Sequence, residues 1–453
     1  MQKTSNSLTE GSILTTLVRF AVPYLLANFV QALYSAVDLM IIGWFSNDAA
    51  ISGVNTATQL IQTLQSLIIG LAMGGTILIG QYVGARRDKD AEQTISTILT
   101  MFIILGALFT VGILIFCDPL LRLMQTPAEA FDSASAYVRV IGCGIIFSFG
   151  YNALSAILRG LGDSTRPLLF VAVACVTNMV LDYLMVGPLN MGAGGAALAT
   201  IISQALSVAL AILYLRRIHF PFDFRPSSFR LHRDKAAGLL KLGIPVCMQE
   251  TLVSLSFLII IAIINGIGVV ASAAVGIAGK FENFAMLPAS AFGGAIAAIA
   301  AQNMGAGRPD RAVKSLWLSV GLSLVPSIVF FFWAQWMPES ILRLFGAGGE
   351  TAVAGAAYLK SFSFDFILTC FGFTLLGFFN GCGCTVFAST NGIVASVVIR
   401  LPLAYILSRL FPSDLTAVGM AVPMATLISV TGALIYMKMG RWKDRSAQTL
   451  KAQ

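Results

Sequence analysis

Residues 15–44 form an almost unbroken apolar run, longer than the roughly 20 residues a helix needs to cross a bilayer, and eleven comparable runs follow it. In hydrocarbon a spanning segment must satisfy its own backbone hydrogen bonds, so runs of this length read as membrane helices. Composition agrees. Hydrophobic residues make up 57% of the chain and charged residues 11%, against about a quarter charged in a soluble domain. The expectation is an all-α polytopic membrane protein with twelve transmembrane helices at approximately 13–44, 53–84, 94–117, 137–159, 167–190, 193–216, 238–265, 272–304, 314–337, 357–380, 386–411 and 416–440. The first run is too long and proline-interrupted for a signal peptide and no small-residue cleavage pattern follows it, so it is expected to be retained.

The formal charge of +8 is distributed as a topology signal. Arg86, Arg87 and Lys89, the connector from Arg216 to Lys235, and Arg308, Arg311 and Lys314 all fall on one side of the predicted membrane. The other side has only Arg122, Arg343 and Arg409 in its connectors. The basic side, with both termini, is therefore expected to be cytoplasmic, in the cell (inner or plasma) membrane, with lipids as neighbours and no nucleic-acid partner.

An internal repeat divides the chain. QYVGARRDKDA at 81–91 returns as QNMGAGRPDRA at 302–312, an offset of 221 residues (302 − 81). Gly160 and Gly162 map at the same offset to Gly381 and Gly383, and Pro23 maps to Pro245 within one residue. The expected domains are an N-lobe at 1–216, a basic linker at 217–236 and a C-lobe at 237–453. Six spans per half return the chain to its starting side, so the two six-helix lobes are parallel and related by a pseudo-two-fold along the membrane normal. Transporters built this way hold substrate between the halves.

Buried charge marks the candidate site. Gln31, Tyr34 and Asp38 share one helical stripe in the first span, and a polar stripe at that depth must face protein or water. Asp182 in the fifth span falls at a similar depth, with Asn178 one turn before it and Thr200 in the sixth span at the same level. At the 221 offset Asp38 maps to Ile259 and Asp182 to Leu403, so the scaffold itself requires neither acid. Two carboxylates, an amide and a hydroxyl in a water-poor pocket suit either H⁺ or Na⁺, and the residues do not choose between them. The C-lobe offers Glu250, Lys280, Glu282, Asp365 and Arg400 as possible contributors, each weighed against a merely structural role. Lys280 and Glu282 read as buried charges needing separate partners or water, and Asp365 with Arg400 as a possible neutralising pair across two helices.

Other chemistries are disfavoured. The two histidines, His219 and His232, lie in the linker, so an intramembrane enzyme would lack its usual histidine in any span. Cys382 and Cys384 have the wrong spacing for a zinc or redox pair, and the odd total of seven cysteines argues against a disulfide framework. No phosphate-loop motif occurs, which leaves an ion gradient as the energy source and implies no resident cofactor.

Gln31 with Tyr34 and Asp38, QYVGARR at 81–87, LRGLGDSTRP at 158–167, NMVLDY around Asp182 and GGAALAT at 194–200 together resemble the multidrug and toxic compound extrusion (MATE) family over nearly the whole chain. The resemblance implies a V-shaped pair of lobes and, by alternating access, secondary antiport of lipophilic organic cations out of the cell against H⁺ or Na⁺. It implies a coupling-ion site at Asp38, Asn178, Asp182 and Thr200, a substrate cavity at Gln31, Tyr34 and Asn152, and no enzymatic activity. A monomer is expected. Some branches of the family place acids in spans seven and ten, and Glu250 and Asp365 do not sit on that pattern. A lipid-linked oligosaccharide flippase of similar construction is the alternative, which would call for more spans and a basic cavity.

Overall fold

The computed structural model of the protein describes residues 8–45, 48–217, 220, 222–411 and 414–443; both chain termini and His219 lie outside them. Among the described residues there are helices and no strands, and twelve helices are long and apolar enough to cross a membrane. The first half folds as α1 (Ile13–Phe45), α2 (Asp48–Gly84), α3 (Asp88–Leu123), α4 (Ala128–Gly160), α5 (Thr165–Val186) and α6 (Gly192–Arg217). The second begins with α7 (Arg233–Asn265), α8 (Val269–Gly305) and α9 (Pro309–Trp336), then the short α10 (Pro338–Leu344) and α11 (Gly349–Phe362). It ends with α12 (Phe364–Gly381), α13 (Thr385–Ile393), α14 (Leu401–Leu410) and α15 (Leu415–Met439). Leu108, Ile115 and Phe116 of α3 and Val325 and Val329 of α9 are exposed, as expected of side chains whose solvent is lipid.

Two spans depart from the expected single helices. The tenth, read as continuous over 357–380, is divided at Ser363 between α11 and α12. The Lys360 carbonyl, which a continuous helix would offer to the N–H four residues on, accepts instead from Gln335 Nε2 at 2.8 Å and Ser363 Oγ at 2.8 Å. The eleventh carries a π-helical segment, Val394–Arg400, between α13 and α14. Pro402, at the start of α14, has no N–H to give to the ladder, and the preceding turn widens.

Each half has its own core. Ile42, Val54, Phe102, Phe149 and Leu154 are packed together in the first, and Phe292, Ile296, Leu316 and Phe378 in the second, with a further C-lobe cluster around Phe281, Phe362 and Phe366. The first helix of each half crosses over at its start. Leu17 and Phe20 of α1 belong to the C-lobe core, while Leu239 of α7 belongs to the N-lobe core.

The duplicated QYVGA and QNMGA elements pack against each other where these crossings occur. A Cβ on Gly84 would lie 2.0 Å from the Gln302 carbonyl oxygen, and one on Gly305 would lie 2.1 Å from that of Gln81, so only glycine permits the approach. Gln81 Nε2 donates to the Gly381 carbonyl at 3.1 Å, and Gln302 Nε2 to the Gly160 carbonyl at 2.9 Å. Since Gln81 and Gly160 are the repeat mates of Gln302 and Gly381, the two bonds are one latch made twice about the pseudo-two-fold.

Neighbouring basic residues reinforce this closed end. Lys235, buried at the start of α7, pairs with Asp90 at 2.6 Å and donates to the Tyr82 hydroxyl at 3.2 Å. Across the pseudo-axis Arg308 donates to the Thr9 carbonyl at 2.8 Å and Arg311 to those of Glu10 and Gly11 at 2.9 and 2.8 Å. At the opposite end Ser52, Asn55, Thr56 and Gln59 of α2 line a cavity of about 430 Å³.

Candidate functional site

The four expected ion-site residues come together in the N-lobe. Asn178 and Asp182 lie one turn apart on α5 and are fully buried, while Asp38 of α1 and Thr200 of α6 are each 7% exposed. The carboxyl groups of Asp38 and Asp182 are neighbours in one pocket, and the Asn178 amide lies beside Asp182. Asn178 Nδ2 donates to Thr200 Oγ1 at 3.4 Å, which turns its carbonyl oxygen toward the remaining groups. Tyr34, one turn before Asp38, points its hydroxyl toward Thr200 and Ser203 without closing a regular hydrogen bond.

What distinguishes the pocket is unspent acceptor capacity. Asp38 Oδ1, Asn178 Oδ1, both carboxylate oxygens of Asp182 and the Tyr34 hydroxyl are buried with no hydrogen-bond partner, and neither acid forms an ion pair among the described residues. Buried polar groups are normally satisfied, and two adjacent carboxylates without a cation repel each other in a medium that screens poorly. A proton shared between the acids, or a monovalent cation held by their oxygens with the Asn178 carbonyl, would relieve both costs.

Sequence reasoning missed Tyr137. This α4 residue is 6% exposed, directs its hydroxyl toward Thr58 of α2, and lies close enough to Asp38, Asp182 and Tyr34 for its ring to wall the pocket. A signal was present: Tyr137 maps at the 221 offset to Tyr358, which stands in the same relation to the buried acids of the other lobe.

The substrate-cavity residues are less concentrated. Tyr34 is part of the acid pocket, Gln31 is exposed one turn earlier on α1, and Asn152 is half-buried on α4, donating to the Ser148 carbonyl at 2.9 Å. Ser148 in turn donates to Gln204 Oε1 at 2.5 Å, tying α4 to α6 below the pocket.

In the C-lobe Glu282, Asp365 and Arg400 are buried around Tyr358. The expected neutralisation of Asp365 by Arg400 is not a contact. Arg400 donates to Ser256 and stacks over the Phe257 ring at 4.0 Å, so α7 takes the guanidinium, and Asp365 Oδ1 is left without a partner. Glu282 Oε1 is likewise unpartnered, and Glu250 is half-buried on α7. Lys280 corrects a second expectation: it is exposed, because residues two apart on a helix point about 200° apart and Glu282 occupies the inward position.

The MatE family model matches the chain twice, over residues 23–184 and 245–406, once in each half. The chain belongs to the MatE family. Both matches begin at the paired prolines Pro23 and Pro245, in keeping with the repeat. Among its MatE relatives, a probable multidrug resistance protein of Bacillus subtilis, YpnP, is 28% identical over 450 residues, covering 98% of this chain and 99% of the relative. The probable multidrug resistance protein NorM of Thermotoga maritima is 25% identical, covering 96% and 94%. A solved outward-facing multidrug resistance MATE family transporter of the MOP superfamily superposes with a TM-score of 0.91 over 100% of both chains at 20% identity, a likeness of fold. MatE proteins are multidrug-efflux transporters rather than enzymes, and this chain is a multi-pass membrane protein of that family.

Proposed function

We propose that the protein is a secondary antiporter that exports lipophilic organic cations in exchange for H⁺ or Na⁺. The single observation that carries the reading is the neighbouring pair of buried, unpaired acids, Asp38 and Asp182, in the N-lobe. Coupling follows from competition. An ion entering from outside neutralises the pair and weakens its hold on a cationic substrate; its departure on the other side restores a charged pocket that favours the next substrate, each ligand shifting the populations by its differential affinity. Asn178 and Thr200 orient the acids and complete an oxygen-lined ion site, while Gln31, Tyr34 and Asn152 contribute to the cavity. The two lobes alternate between a state closed at the latch of Gln81 and Gln302 and one open there, the basic end and both termini face the cytoplasm of a cell membrane, and the unit is a monomer divided at the linker 217–236.

The test is transport of a fluorescent lipophilic cation, ethidium, in vesicles with proton and sodium gradients imposed separately. Gradient-driven export that falls at least about tenfold in both Asp38→Asn and Asp182→Asn is expected. Export that survives both substitutions rules the N-lobe mechanism out, and whichever single gradient sustains export names the coupling ion.

A further inference from the structure

At the closed, basic end the two lobes present the same repeat positions with different charges. In the N-lobe Asp90 takes Arg87 at 2.7 Å and Lys235 at 2.6 Å, so the cations there are compensated within the chain. At the 221 offset Arg87 returns as Arg308, but Asp90 returns as Arg311 (311 − 90), a base in place of the acid. At the 222 offset of the paired prolines Lys235 maps back to Ile13 (235 − 13), an apolar residue in place of the lysine. The C-lobe has lost its internal anion here and gained a cation.

What stands at this place is a cavity of about 410 Å³ with Ile13, Arg308, Asp310, Arg311 and Lys314 in its wall. Arg308 and Arg311 donate to backbone carbonyls of residues 9–11 and Lys314 is exposed, so none of the three makes an ion pair among the described residues. Arg311 Nε is buried with no hydrogen-bond partner. Three cations against the single, exposed carboxylate of Asp310 leave the wall net positive, and an unspent guanidinium donor inside it calls for an anion with acceptor oxygens.

The surroundings select the carrier of that anion. Ile13 gives the wall an apolar side from which a free phosphate ion gains nothing. Trp317 and Leu318, three and four residues beyond Lys314 and so above it on the same face of α9, are 44% and 37% exposed. A Cβ on Gly321, two turns beyond Lys314, would meet nothing within 4 Å, so that face is open to the bilayer. Cations at the membrane edge with an open apolar helix face directly above them fit a phosphate headgroup that carries acyl chains.

We propose that this cavity is a binding site for an anionic phospholipid of the adjoining leaflet, its phosphate held by Arg308, Arg311 and Lys314 and its acyl chains lying along α9 past Trp317. The site bears on the latch: residues 9–11, held by the same two arginines, follow Leu8, whose N–H donates to Gln302 Oε1 at 3.2 Å.

The test is isothermal titration of the purified, detergent-solubilised protein with three probes: dihexanoyl phosphatidylglycerol, dihexanoyl phosphatidylcholine and inorganic phosphate. Phosphatidylglycerol is expected to bind at least about tenfold more tightly than either of the others. Lys314→Gln is expected to weaken it about fivefold, and Lys314→Arg to keep the wild-type affinity. Lys89→Gln removes an exposed cation from the N-lobe side of the same end and is expected to leave the affinity within about twofold. Unchanged affinity in Lys314→Gln overturns the proposal, and so does a loss in Lys89→Gln as large as that in Lys314→Gln, which would show attraction to the surface at large. Phosphatidylcholine binding as tightly as phosphatidylglycerol overturns the role of the cations. Inorganic phosphate binding as tightly overturns the assignment to a lipid.

Discussion

Asp38 and Asp182 come from helices separated by more than a hundred residues and share one pocket, so neither acts alone. If they titrate or coordinate as a unit, the double variant Asp38→Asn with Asp182→Asn should export no more slowly than the worse single variant, within about twofold. Additive losses, measured as initial rates of ethidium efflux, would show two independent sites. Tyr137 tests the surrounding wall. Tyr137→Phe removes one hydroxyl beside the acids without opening a cavity, and a loss of about 1 kcal/mol should raise the KM for the coupling ion about fivefold while thermal stability is retained. The acids were legible in the sequence because a carboxylate inside an apolar span is costly. Tyr137 left only the fainter mark of its repeat mate Tyr358, because a tyrosine in a membrane helix carries no such cost and its neighbours are set by packing.

Among the elements, the ends of α2 and α8 carry the strictest steric demand. Gly84→Leu places a side chain where the Gln302 carbonyl oxygen now lies, so the closed contact at the basic end should not form, and export should stop even though substrate binding persists. Unimpaired export by Gly84→Leu would show that this contact is not needed. The start of α7 is held electrostatically. Lys235→Ala leaves Asp90 with Arg87, at 2.7 Å, as its remaining cation and should lower stability by about 1 kcal/mol. Thermal denaturation should show a larger loss when Arg87→Ala is added, since only then is Asp90 without a cation. The twelve spans could be read from apolar length, but the division at Ser363 could not. It depends on Gln335 of α9 reaching the Lys360 carbonyl, and no property of residues 357–380 announces a neighbour's side chain.

For the whole molecule the duplicated latch sets the balance between conformations. Gln81→Ala and Gln302→Ala should each favour opening at the basic end by about 1 kcal/mol, and Gln302→Ala by more, since Gln302 Oε1 also accepts from the Leu8 N–H at 3.2 Å. Spin labels on Lys89 and Asp310, both exposed at that end, should report a longer-distance population that grows in the same order; equal, unchanged distances in wild type and both variants would remove the latch from the mechanism. The sequence by itself determined a helical membrane protein of twelve spans, its duplication, and the acids of the N-lobe, because apolar length, a fixed offset and the cost of buried charge are properties of the chain read along its length. The tertiary structure alone decided that Arg400 rests on Ser256 rather than Asp365, that Lys280 is exposed while Glu282 is buried, and that Gln81 and Gln302 bond across the pseudo-axis. Those outcomes depend on which helix faces stand opposite one another, a matter of packing between segments distant in sequence.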